Sequence, residues 1–279
     1  MSEVHSGTAA NAVQTSEQTS EQTAAQTRKV CVVTGSSSGI GAATVRRYAA
    51  EGWDVVVNYA HNAAPADAVA TECRALGATV LVVCADIAQD ADCRRLAAEV
   101  EAAFGRADVL VNNAGTTKFV GLKDLDGLEA EDFHRIYGVN VIGPLQMTRA
   151  LLPLLQRNPG AGVVNVSSIA SFMGTGSSIA YMASKGALNA MTVGLARALG
   201  PQVRVNAIAP GLVETPWLQN GLGAERYAAT VVGYKARAAL DAVIAPEDVA
   251  DAAWWLGAGA AKTTGEGILV EAGLRITRG

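Results

Sequence analysis

From residue 29 onward the chain alternates between short unbroken apolar runs and longer stretches in which apolar positions recur every three or four residues. The unbroken runs are Lys29–Thr34, Trp53–Tyr59, Thr79–Ala85, Asp108–Val111, Gly162–Val166, Val203–Ile208 and Gly267–Val270. They are rich in valine and do not alternate apolar with polar, the pattern of strands covered on both faces. Between them, Gly41–Glu51, Ala64–Leu76, Ala91–Phe104, Glu131–Leu155, Tyr181–Leu199 and Pro246–Leu256 carry the Ala, Leu, Glu and Arg content and the spacing of helices. Gly52 and Gly77 sit just past two helix ends, and Pro246-Glu247-Asp248 opens another helix. Seven strands alternating with six helices predict an α/β fold: a Rossmann-type doubly wound parallel sheet with helices on both faces, in a single domain over residues 28–279. The one long insertion, residues 212–240, separates a strand from its following helix and reads as a partly helical flap over a substrate.

Residues 1–27 break this pattern. They include the repetitive polar stretch TSEQTSEQTAAQT and have few large apolar side chains. Such a segment cannot bury enough surface to offset its ordering entropy, and a disordered, low-complexity tail is expected.

Composition narrows the function classes. The 279 residues are half hydrophobic, enough for a sizeable core, and the net charge is -4 without a cluster of Lys or Arg. Nucleic-acid binding is therefore not expected. No run approaches the roughly 18 apolar residues of a membrane span. The absence of Lys or Arg before Arg28, and of an apolar stretch there, predicts no secretory leader. The four cysteines Cys31, Cys73, Cys84 and Cys93 form no CxxC pair, and read as reduced thiols of a cytoplasmic protein rather than metal ligands. No metal is expected.

The chemistry begins after the first strand, where Thr34-Gly35-Ser36-Ser37-Ser38-Gly39-Ile40-Gly41 leads into a helix. Glycines there permit a tight turn and a close approach of backbone to a pyrophosphate, and the helix N-terminus offers free N–H groups. Gly35, Ser37, Ser38, Gly39, Ile40 and Gly41 are thus candidates to hold a dinucleotide, although the spacing is G-x-x-x-G-x-G and not G-x-G-x-x-G. The second strand ends Asn58-Tyr59-Ala60 with no carboxylate to bind a ribose 2′-hydroxyl. That favours NADP over NAD, with the reservation that no Arg stands ready for the 2′-phosphate.

Tyr181 and Lys185 lie four apart on one helix face. A neighbouring ammonium favours the phenolate and lowers a tyrosine pKa, so the pair predicts a proton-transfer group for carbonyl reduction or its reverse. A hydroxyl at the end of the fifth strand, Ser168 or its neighbour Ser167, is placed to hold the substrate oxygen.

These residues together resemble the short-chain dehydrogenase/reductase family, over about nine-tenths of the chain. The motifs occur in family order: Thr34-Gly35-x-x-x-Gly39-Ile40-Gly41, Asn112-Asn113-Ala114-Gly115, Asn140, Ser168, Tyr181-x-x-x-Lys185 and Pro210-Gly211. The resemblance implies Tyr181 as acid–base, Lys185 as the residue that tunes it and bonds the nicotinamide ribose, and Ser168 as the carbonyl-polarising hydroxyl. It implies that Asn140 holds a water linking Lys185 to solvent. It further implies Asp86 and Ile87 beside the adenine, Asn113, Ala114 and Gly115 beside the ribose, and Asn112 as a tie within the sheet. Pro210, Gly211, Val213 and Thr215 would lie over the nicotinamide. Two cofactor markers of the family are missing: Ser38 stands where NADP users often carry Arg or Lys, and Tyr59 where NAD users carry Asp.

The closest likeness is to members of the 3-oxoacyl-acyl-carrier-protein reductase and glucose dehydrogenase type. The expected activity is NADPH-dependent reduction of a ketone to a secondary alcohol. An NAD(P)-dependent alcohol, sugar or steroid dehydrogenase is the alternative, and a non-catalytic redox-sensing regulator a remote one. A small carbonyl or alcohol substrate would enter between Thr116–Leu122, Ile169–Ser178 and the flap, where Phe172, Met173, Trp217, Leu218 and Tyr234 make the surroundings apolar. The family resemblance also implies a homo-oligomer, commonly a tetramer, built through Glu131–Leu155, Tyr181–Leu199 and the last strand.

Overall fold

A computed structural model of the chain describes residues 28–276, and the tail expected over residues 1–27 lies outside them. Seven strands form one parallel sheet: β1 (Val30–Val33), β2 (Asp54–Tyr59), β3 (Val80–Cys84), β4 (Val109–Asn112), β5 (Gly162–Val166), β6 (Arg204–Pro210) and β7 (Gly267–Val270). Their order is β3-β2-β1-β4-β5-β6-β7. The chain builds outward from β1 to β3, then returns to place β4 on the other side of β1. That reversal opens a crevice beyond the carboxyl ends of β1 and β4, where open α/β sheets bind ligands.

The valine runs are unbroken because both faces of the sheet are covered. Along β1, Cys31 and Val33 enter one core with α1 (Gly39–Ala50), α2 (Ala63–Ala75) and α10 (Pro246–Trp254). Val30 and Val32 enter the other core, with α3 (Asp90–Phe104), α5 (Gly143–Leu155) and α7 (Ile179–Leu199). The central strands β1, β4 and β5 therefore present a buried side chain at every position, and period-two alternation disappears.

One expectation is corrected. Glu131–Leu155 is not one helix: α4 (Ala130–Tyr137) passes through a π-helical turn, Gly138–Ile142, before α5. The turn carries Asn140 inward, where its Oδ1 accepts from Thr116 N–H and its Nδ2 donates to Thr116 O and Ser184 Oγ. Three tertiary hydrogen bonds thus outweigh the i−4 ladder locally, a common setting for a π-bulge. After β5 the chain forms the short helix α6 (Ala170–Met173). The insertion expected as a partly helical flap carries two helices, α8 (Pro216–Leu222) and α9 (Ala224–Arg237), joined at Gly223, whose φ is +75°. No helix among the described residues is long and apolar enough to cross a membrane.

Candidate active site

The turn between β1 and α1 is held from both sides. Gly35 N–H donates to Asn58 Oδ1 at 3.0 Å, and Ser36 N–H to Asn58 O at 2.9 Å. From β4, Asn113 Nδ2 donates to Thr34 O and Gly35 O, while Asn113 N–H and Ala114 N–H donate to Thr34 Oγ1. The glycines are required by this closeness. A β-carbon on Gly35 (φ +61°) would lie 2.8 Å from Ala114 Cα, and one on Gly41 would lie 2.5 Å from Asn113 Nδ2. Ser38 precedes α1 in an extended conformation and its side chain makes no cap hydrogen bond, so the first N–H groups of α1 are not capped by it. Ser38, Gly39 and Ile40 line the wall of a cavity of about 1220 Å³. That exceeds the roughly 300–1,000 Å³ usual for one small ligand, and accommodates a dinucleotide with a second molecule. The uncapped helix end and the backbone approach fit the diphosphate of a nicotinamide dinucleotide.

Most of the residues singled out in the sequence share this cavity. Gly35, Asn58, Ala60, Asp86, Ile87, Asn113, Ala114, Gly115, Pro210, Gly211, Val213 and Thr215 line it along with Ser168, Tyr181 and Lys185. Four do not. Ser37 lies off the wall, and Gly41 is buried beneath the turn. Tyr59 points the other way from Asn58 and Ala60, as strand alternation requires, and packs against the sheet core. Asn140 sits behind the wall, though it stays close: a β-carbon on Gly115 would be 3.5 Å from its Oδ1 and 3.7 Å from Lys185 Nζ. Asn112 ties the sheet, donating to Asn165 Oδ1 at 2.9 Å across β4 and β5. Trp217, Leu218 and Tyr234 line the substrate half, whereas Phe172 and Met173 do not.

At the end of β5 the two serines separate. Ser167 is buried and donates to Asn189 Oδ1 at 2.6 Å. Both line the cavity, but Ser168 is the one hydrogen-bonded to the Tyr181 phenol. Helix α7 starts at Ser178, whose hydroxyl accepts from Tyr181 N–H, so Tyr181 occupies the first turn and Lys185 the second. Lys185 Nζ lies 5.7 Å from the Tyr181 ring centroid. It donates to Val166 O at 2.8 Å.

Electrostatics depart from the expected tuning. Burial raises the Tyr181 phenol above its ordinary value, with the Ser168 hydrogen bond pulling the other way. Burial also lowers Lys185 to about 8. The lysine ammonium is directed at a strand carbonyl and not at the phenol oxygen, so desolvation dominates both groups.

Sequence reasoning missed Asn189. It lies one helical turn beyond Lys185 and two beyond Tyr181, a spacing that carried the signal. It accepts from Ser167 Oγ and donates to Ser171 Oγ at 2.8 Å, and Ser171 Oγ donates to Ser168 O at 2.6 Å. The amide therefore braces the strand end that presents Ser168. Asn189→Ala is expected to lower kcat about tenfold with KM for the cofactor nearly unchanged. Steady-state kinetics check this; equal losses in both would assign Asn189 to packing alone. Thr34 was also overlooked as the hydroxyl joining the cradle to β4.

Comparison with known proteins gives a consistent result. The model of the short chain dehydrogenase family matches residues 29–225. The chain is 44% identical over 247 residues to a protein named as ketoacyl reductase 2 of the granaticin polyketide synthase of Streptomyces violaceoruber, covering 88% of this chain and 96% of that one. It is 34% identical to L-fucose dehydrogenase of Bos taurus, covering 90% and 91%. The crystal structure of a protein described as a short-chain dehydrogenase/reductase from Burkholderia xenovorans superposes with a TM-score of 0.83 at 42% identity, covering 90% of this chain and 99% of that one.

Proposed function

The chain belongs to the short-chain dehydrogenase family, an oxidoreductase family acting on CH–OH and C=O groups with NAD(P), and from that premise we propose that it reduces a ketone to a secondary alcohol, with NADPH as preferred donor and a 3-oxoacyl thioester as the substrate type. The observation that carries this reading is the meeting of Ser168, Tyr181 and Lys185 at the end of β5, in the same cavity as the glycine turn.

The residues that would hold the dinucleotide are Gly35, Ser38, Gly39 and Ile40 at the diphosphate, Asp86 and Ile87 at the adenine, Asn113, Ala114 and Gly115 at the ribose, and Val213 and Thr215 at the carboxamide. A bound nicotinamide supplies the hydride. Ser168 donates a hydrogen bond to the ketone oxygen and holds it toward Tyr181. Tyr181 then gives its proton to that oxygen. Burial pushes the phenol pKa up, which favours the protonated form and suits the tyrosine as the acid in a reduction. Lys185 lies beside the Tyr181 ring and would bond the nicotinamide ribose, and Asn140 supports it from behind Gly115.

The preference for NADP rests on the wall formed by Asn58, Ala60 and His61, which offers no carboxylate to repel a 2′-phosphate. The ketone reading rests on the apolar lining near Tyr181 contributed by Phe119, Trp217, Leu218 and Ile169. The reading extends to a reducing, cytoplasmic setting, which suits four unpaired thiols. It also extends to assembly of copies through α5 and α7, where Leu145 and Val193 are exposed.

The test is a panel of ketones and secondary alcohols offered with each cofactor, followed at the reduced-nicotinamide absorbance band. Acetoacetyl thioesters with NADPH are expected to react fastest. Faster oxidation of free sugars such as L-fucose would replace this reading with that of a sugar dehydrogenase.

A further inference from the structure

The cavity face of α9 repeats at helical spacing: Arg226, Thr230, Tyr234 and Arg237 all line the substrate half. Tyr234 fixes that face. It is 5% exposed and its hydroxyl donates to Glu271 O at 2.7 Å, where only the missing side chain of Gly211 makes room for it. With Tyr234 pinned, residues one turn and two turns away on the same stripe are held at the cavity rim.

Neither arginine has an acidic partner among the described residues. Arg226 and Arg237 enter none of the ion pairs formed among the described residues, in contrast to Arg46, Arg47, Arg94, Arg95, Arg149 and Arg157. The one side-chain hydrogen bond either makes among the described residues is from Arg237 Nε to Gly233 O of its own helix. Among the described residues of the cavity wall, the one carboxylate is Asp86, at the nucleotide end, where its Oδ1 already accepts from Ala88 N–H. A chain with net charge -4 thus carries a cationic rim on its substrate side. Guanidinium groups present paired donors matched to phosphate and carboxylate oxygens. A local cationic rim on an acidic protein also concentrates an anion at that place in preference to the rest of the surface.

We propose that Arg226 and Arg237 select ketones carrying an anionic group, a phosphate or a carboxylate, at the end remote from the carbonyl. This rests on the reading of the chain as a ketone reductase. The apolar body of such a substrate lies against Trp217 and Phe119, whose rings are 5.6 Å apart and of which Trp217 is 6.2 Å from the Tyr181 ring. Its charged end reaches the flap helix. No bond is made or broken by the arginines; they hold the substrate.

The test uses the full chain saturated with NADP, and calorimetric binding of three probes. Pantetheine is neutral, phosphopantetheine adds a phosphate at the end far from the thiol, and the 4′-hemisuccinate of pantetheine carries a carboxylate at that same end. Phosphopantetheine or the hemisuccinate is expected to bind on the order of tenfold more tightly than pantetheine, and which of the two gains identifies the anion. Each of Arg226→Gln and Arg237→Gln is expected to reduce that gain a few-fold, and the double variant to abolish it, with pantetheine unaffected. Lys235→Gln, which removes the same charge from another face of α9, is expected to leave it intact. Equal binding of all three probes, no binding at millimolar concentration, or an equal loss in Lys235→Gln overturns the proposal. Acetoacetyl thioesters of pantetheine and phosphopantetheine provide the second readout, in which the arginine variants raise KM for the phosphorylated ester alone and leave kcat in place. If neither ester is reduced while the binding pattern holds, the ketone-reductase reading fails and the anion site stands.

Discussion

Replacement of Tyr181 by phenylalanine is expected to lower turnover by about three orders of magnitude, the scale at which a positioned acid–base contributes, while cofactor affinity stays within about twofold. The physical case is narrow. Phenylalanine keeps the ring that packs 6.2 Å from Trp217, so the wall of the cavity survives. What disappears is one hydroxyl, the group hydrogen-bonded to Ser168, and with it the proton destined for the ketone oxygen. The glycine turn and the residues around the diphosphate do not involve that hydroxyl. Single-turnover reduction rates and NADPH binding by fluorescence separate the two effects. Turnover near that of the native chain would place the proton donor elsewhere and remove the centre of the proposed mechanism.

The second large effect is a trade between activity and stability at Lys185. Lys185→Met is expected to lose most activity and to weaken cofactor binding about tenfold, because the ammonium, which lies beside the Tyr181 ring in the shared cavity, is the group proposed to bond the nicotinamide ribose. The same variant is expected to be more stable at neutral pH. In the folded chain Lys185 is 4% exposed and titrates at about 8, whereas an unfolded lysine titrates near 10.4. A depressed lysine pKa means the folded state disfavours the charged form. Below pH 8 the residue is charged in both states and the native fold carries the whole penalty, on the order of 3 kcal/mol. Between about 8 and 10.4 the unfolded chain holds the proton and the native one does not, so native stability rises with pH there.

Methionine fills a similar volume without charge, and its net gain is reduced by loss of the hydrogen bond to Val166 O. The melting temperature of Lys185→Met is therefore expected to exceed that of the native chain by a few degrees at pH 7. The difference shrinks toward pH 10. Scanning calorimetry across that range checks the sign; a lower melting temperature at pH 7 would show that the ammonium is favourably paired in the folded state.

The two predictions divide because the two residues answer to different parts of the structure. Tyr181 is held by its ring and acts through one oxygen. Lys185 lies where β5 and α7 press together, so its charge affects the fold as much as the site. Asn189, on the same helix face, belongs to a third case: it touches no part of the cavity chemistry directly and acts through Ser167 and Ser171 on the backbone that presents Ser168.

How much of this could be read beforehand depends on which interactions are local. The seven strands were legible because a sheet buried on both faces demands apolar side chains at every position, and valine runs such as Asp54–Tyr59 record that demand directly. The glycine turn was legible because Gly35 and Gly39 adopt left-handed φ values of +61° and +53° that disfavour other residues. The Tyr181–Lys185 pair was legible because helical spacing alone puts both on one face.

What the chain's order of residues did not reveal depended on contacts between distant segments. Tyr59 and Asn58 are neighbours in sequence, yet only the pleat of β2 against β1 and β3 decides that Asn58 braces the turn while Tyr59 faces the core. The break at Gly138–Ile142 came from Thr116 and Ser184, 24 and 44 residues away from Asn140. The protonation balance of Tyr181 and Lys185 followed from burial, which spacing along one helix cannot report. Periodicity and backbone sterics are properties of short segments and are written in them; desolvation and long-range hydrogen bonds exist only once the sheet and its helices have closed around the cavity.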